Sequence, residues 1–73
     1  MTDYHINIFY SEEDRGYIAD IPDLEYCSAF GETPEQALAE LKVAKKAWIE
    51  AAQEAGNPIP APRYRPLIYQ VSG

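Results

Sequence analysis

Thiols, histidines and sulfur ligands are nearly missing from this sequence, which holds one cysteine (Cys27), one histidine (His5) and one methionine in 73 residues. A lone thiol cannot close an intrachain disulfide, and no second thiol or imidazole completes a metal site, which fits a reducing compartment. Long apolar runs are also lacking: none approaches the roughly 18 residues of a membrane span, and no basic stretch followed by an apolar one marks a signal peptide. The expectation is a cytoplasmic chain without a membrane partner. Basic residues are scarce, with six Lys and Arg against twelve Asp and Glu for a net charge of −6. Binding a phosphate backbone needs clustered Lys and Arg, so no direct nucleic-acid contact is expected. A glycine-rich phosphate loop is absent, and no cofactor or metal is predicted.

What is present suits one small folded unit, a single domain over 1–73. At this length burial covers only about 60% of the surface that an unfolded chain exposes, so help from a second subunit is a reasonable expectation. The charge is unevenly spread. Residues 1–33 hold eight acids (Asp3, Glu12, Glu13, Asp14, Asp20, Asp23, Glu25 and Glu32) and one base, Arg15, which places −7 in this half. The segment 34–56 is near neutral, and Arg63 and Arg65 make the tail basic. Such an acidic half attracts a basic protein.

From Tyr4 to Tyr10 side chains alternate, with Tyr4, Ile6, Ile8 and Tyr10 on one face and His5, Asn7 and Phe9 on the other, the period of a strand. Ser11 to Gly16 supplies turn formers, so Tyr17 to Ile21 folds back as an antiparallel partner. Pro22-Asp23 breaks the ladder, and Leu24 to Phe30 reads as a third strand closed by Gly31. Thr33-Pro34-Glu35-Gln36 then combines an N-cap threonine, a proline at the first helical position and a glutamine placed for a capping box. A helix over 34–55 follows. Its apolar stripe is Ala37, Leu41, Ala44, Trp48, Ala51, Ala52 and Ala55, widened by Leu38 and Ile49, with Lys45 at the edge. Gly56, Asn57 and Pro58 stop it. Four prolines between Asn57 and Pro66 form an extended return, and Leu67 to Val71 reads as a last strand. The predicted class is α+β, ordered β-β-β-α-β, an antiparallel sheet with the helix on one face. Phe9, Ile18, Tyr26 and Phe30 then remain on the uncovered face, where contiguous apolar exposure marks an interface and predicts a homo-oligomer.

Catalytic chemistry is thinly represented. Cys27 and His5 are the only possible thiol–imidazole pair, but a small thiol in a strand reads as a packed core residue. Asp20 and Asp23 bracket Pro22 and could hold Mg²⁺ or work as acid and base, although acids beside a turn are ordinarily solvated and no third ligand is spaced with them. Glu12-Glu13-Asp14 keeps a hairpin tip soluble or steers a basic partner. Trp48, central in the helix stripe, reads as core rather than a base-stacking platform, and Arg63-Tyr64-Arg65 is too small a basic patch for RNA. No catalytic residue is assigned from the residues alone.

The stretch Gly16-Tyr17-Ile18-Ala19-Asp20-Ile21-Pro22-Asp23-Leu24, then Cys27, then Gly31-Glu32-Thr33-Pro34-Glu35-Gln36-Ala37-Leu38, resembles the HicB-type antitoxin family. Pro58-Ile59-Pro60 after the helix extends the likeness along nearly the whole chain. Where that family often has Pro-Gly before the cysteine, this chain has Glu25-Tyr26. The resemblance implies a partial ribonuclease-H-like fold without its catalytic acids, not an enzyme. It further implies an antitoxin that binds a small basic mRNA ribonuclease, HicA, of double-stranded-RNA-binding-type fold. Many relatives carry a C-terminal DNA-binding domain, and with the chain ending at Gly73 operator binding is not expected here. The expected partner contacts are Asp20, Asp23 and Glu25, aided by Glu12, Glu13 and Asp14. The competing readings are a small hydrolase or nuclease using the acidic half and a ligand-binding accessory domain.

Overall fold

The computed structural model describes residues 3–64. Three antiparallel strands precede one helix: β1 (Asn7–Ser11), β2 (Gly16–Asp20), β3 (Ser28–Gly31) and α1 (Pro34–Ala55). The sheet order is β1-β2-β3 with β2 in the centre, and the helix packs on one face. The α+β arrangement expected from the residue pattern is thus the one formed. The last strand, Leu67 to Val71, lies outside the described residues.

Register follows from the alternation of side chains. Ile8 stands opposite Ala19, and Ala19 opposite Ala29; Ala19 and Ala29 pack in the core beneath the helix, while Ile8 at the end of the row is exposed. Phe9, Ile18 and Phe30 form the matching row on the other face. The core joins Ala19, Ile21, Leu24 and Cys27 to Ala37 and Leu41 of α1, with Tyr4, Ile6, Tyr17, Ala29, Ala44 and Trp48 packed around it.

Two strand boundaries differ from the sequence reading. β1 begins at Asn7 rather than Tyr4, because its partner β2 ends opposite it at Asp20 and Pro22 then carries the chain away. Tyr4 and Ile6 pack against the core without joining the ladder. β3 begins at Ser28 rather than Leu24. The intervening residues make two successive tight turns, in which Leu24 N–H donates to the Ile21 carbonyl and Cys27 N–H to the Leu24 carbonyl, each at 3.1 Å. Ile21 N–H closes the loop on the Cys27 carbonyl at 3.1 Å. The three-residue spacing turns Ile21, Leu24 and Cys27 inward together, and all three are buried. Burial of three apolar side chains outweighs four more residues of edge ladder.

The helix has the predicted bounds. Thr33 Oγ1 accepts from Gln36 N–H at 3.1 Å, and the Gln36 side chain takes the Glu32 N–H at 2.7 Å, one residue before the position of the usual reciprocal bond. At the other end Gly56 adopts φ 74°, with Gly56 N–H on Gln53 and Asn57 N–H on Ala52, a Schellman closure. The helix start rests directly on β3. A Cβ on Gly31 would stand 2.7 Å from Ala37 Cα and collide with the Ala37 backbone nitrogen, so only glycine permits this approach.

Twenty-two residues of helix run about 33 Å, roughly twice the reach of a five-residue strand. The sheet therefore covers only part of the apolar stripe: Ala37, Leu41 and Ala52 are buried, Trp48 is half-buried, and Ala51 and Ala55 are exposed. Trp48 packs at the margin of the core, not in its centre.

Candidate functional site

The six carboxylates singled out in the sequence fall into two groups at opposite ends of the β1–β2 hairpin. Glu12, Glu13 and Asp14 occupy its exposed tip, where Ser11 Oγ donates to Asp14 Oδ2 at 2.9 Å and Arg15 takes a left-handed φ of 55°. Asp20, Asp23 and Glu25 lie at the other end, about 13 Å away along the strand direction. Asp20 shares the Phe9–Ile18–Phe30 face, since it pairs with Asn7 and Ser28 two residues along from that row.

Glu25 is the point where two shallow grooves meet. One, of about 360 Å³, is bounded by Asp20, Glu25, Tyr26 and Ser28. The other, of about 600 Å³, runs between Asp23, Glu25 and the far end of the helix, over Trp48, Ala51 and Ala55. Trp48 is held in orientation there because its Nε1–H donates to the Glu25 carbonyl at 2.9 Å. Asp23 also anchors distant backbone. Its carboxylate accepts the N–H of Arg63 at 3.0 Å and of Tyr64 at 3.0 Å, which ties the proline-rich return to this corner. Tyr4 Oη donates to the Pro60 carbonyl, and the Tyr64 ring lies 4.7 Å from that of His5. No local sequence signal could have revealed this, since the partners are about forty residues apart and the acceptor sees only backbone.

Tyr26 is 93% exposed at φ 63°. Its assignment to a third strand beside Phe30 is corrected by the structure: it sits in the turn, on the groove with Asp20, and not on the sheet face. Phe9, Ile18 and Phe30 are brought together as expected, with Phe9 51% and Phe30 44% exposed.

Cys27 is buried, and burial pushes its thiol pKa up, with nearby Asp20 adding to the rise and Lys45 opposing it. A thiol so held is the reverse of an activated nucleophile. The His5 ring is engaged with Asn7 Oδ1 at 2.8 Å. Among the described residues no three His, Cys, Asp or Glu side chains are grouped to hold a metal ion, and no helix is long and apolar enough to cross a membrane. Lys45 reaches Asp3 at 2.7 Å with its ammonium over the Tyr4 ring, and this bond, with that from Tyr4 N–H, lowers the Asp3 pKa.

Residues 4–68 match the model of the HicB-like antitoxin of bacterial toxin-antitoxin systems. The chain belongs to that family. It is also 39% identical over 54 residues, 74% of either chain, to a UPF0150 protein of Synechocystis. No solved structure matches. Membership in an antitoxin family implies a protein toxin as partner, which directs attention to the protein-facing surfaces: the acidic corner, the hairpin tip and the open sheet face. Tyr26 takes a left-handed φ of 63°, a conformation that glycine adopts without a Cβ conflict.

Proposed function

We propose that this chain neutralises a small basic mRNA ribonuclease of HicA type by binding it, and that it catalyses nothing itself. The family match across residues 4–68 carries the reading. The arrangement of charge supports it: Asp20, Asp23 and Glu25 gather at one corner, and Glu12, Glu13 and Asp14 extend the negative field to the hairpin tip. Charges of this kind raise the association rate with a basic protein and favour it over acidic ones. The open face supports a second element, a homodimer joined through Phe9, Ile18 and Phe30, because a self-complementary apolar row across a two-fold axis buries itself.

Co-expression with the HicA-type toxin encoded nearest to it tests the reading. Wild type restores growth and co-purifies with the toxin, while the charge reversals Asp20→Lys and Glu25→Lys weaken both. Asp23→Lys is a poorer probe, since it also releases the Arg63–Tyr64 return. Purified protein cleaves no RNA with Mg²⁺ or Mn²⁺. Failure of wild type to rescue or to co-purify overturns the proposal, and nuclease activity would favour the enzyme reading.

A further inference from the structure

We propose that the groove over Trp48 is a socket for one arginine side chain of the basic partner, an inference that rests on the reading of this chain as the inhibitor of a basic protein. Its floor is apolar, formed by Trp48, Ala51 and Ala55 with Pro58 and Pro60 beside them, and the acidic residues Asp23 and Glu25 line its wall. A guanidinium matches both parts. It is planar, stacks on indole better than an ammonium does, and offers a fork of donors to a carboxylate. The indole is already held by its bond to the Glu25 carbonyl, so little ordering is required on binding. Asp23 keeps acceptor capacity beyond its two backbone donors.

Charge complementarity selects this groove over the other apolar one. That second groove, over Ile6, Ile21, Leu41 and Ile49, is lined by Lys42, Lys45 and Lys46 against Asp3 and Glu50, with Lys45 paired to Asp3, so its rim is net positive and favours a cation less. The open sheet face has one carboxylate, Asp20, beside the Phe9–Ile18–Phe30 row, and no indole. Asp23 holds the backbone of Arg63, and among the described residues the Lys45–Asp3 contact is the one ion pair.

The test uses the full chain with the HicA-type toxin encoded nearest to it. Two variants spare the fold: Glu25→Gln keeps the Trp48 bond, which uses the backbone, and Ala51→Leu fills the groove from an exposed helical position. Each should weaken the complex by about tenfold or more, the scale of a charge-assisted pair, whereas Glu54→Gln outside the groove changes little. Arginine-to-lysine changes made singly across the toxin should reveal one that reproduces the Glu25→Gln loss and does not add to it in the double variant. The fluorine signal of a chain labelled with 5-fluorotryptophan, which reports Trp48 alone, should shift on complex formation. A tight complex in which both groove variants bind as wild type, or in which no arginine couples to Glu25, overturns the socket and leaves the antitoxin reading standing. No complex at all overturns both.

Discussion

Tyr26 combines two unfavourable properties, a left-handed backbone and an almost fully exposed aromatic ring. The backbone costs roughly 1–2 kcal/mol for a residue with a Cβ, and the ring recovers little by packing. Tyr26→Gly should therefore stabilise the domain by about 1 kcal/mol, part of the relief being offset by the flexibility of glycine in the unfolded chain. Thermal unfolding checks this; an unchanged or lower midpoint would mean that the ring contributes packing. Cys27 gives a second expectation at this scale. Its pKa is raised above the unfolded value near 9.0, so its share of stability is complete below that pH and is lost as pH rises through the folded value. At pH 8 native protein should react with iodoacetamide far more slowly than protein in urea, and equal rates would place the thiol at the surface.

At the scale of the elements, the joint between β3 and the first turn of α1 bears on Gly31. Adding one methyl forces the Ala37 backbone away and disturbs the start of the helix that carries Leu41 and Trp48. Gly31→Ala should cost on the order of 3 kcal/mol, above the usual range of mild overpacking because the clash is with backbone. The change in urea midpoint reads it directly. Trp48→Ala should cost less than a fully buried tryptophan does, about 2–3 kcal/mol, because the indole is only half-buried and bonds through one N–H. A loss as small as that of an exposed alanine substitution would separate Trp48 from the core altogether.

At the scale of the whole fold, one helix across a three-stranded sheet leaves the Phe9–Ile18–Phe30 row uncovered among the described residues, and a chain of 8.2 kDa has little interior to compensate. Sedimentation equilibrium at tens of micromolar should give about twice the chain mass. Phe9→Lys should return it to one, with its helical circular dichroism retained, since Phe9 contributes to the open face and not to the core. A monomeric wild type would sink the dimer. The −7 carried by residues 1–33 acts at this scale too: association with a basic toxin should slow as salt rises, because the screening length falls to about 3 Å at 1 M.

Local chemistry by itself determined the helix and its caps, the hairpin, the face on which Phe9 and Ile18 lie, and the family. These depend on neighbours within a few residues: Thr33 and Gln36 at one end of the helix, Gly56 and Asn57 at the other, and the turn formers from Ser11 to Gly16 between β1 and β2. Tertiary structure alone decided the turn through Ile21, Leu24 and Cys27, because a period of three in a short apolar run acquires meaning only when a core lies on one side. It also decided that Asp23 holds backbone from Arg63 and Tyr64, and that Trp48, Ala51 and Ala55 outrun the sheet to floor an acidic groove. The helix length is legible in the residues, but the starts of β1 and β3 and the overhang depend on where one element is laid upon the other, which is a property of packing.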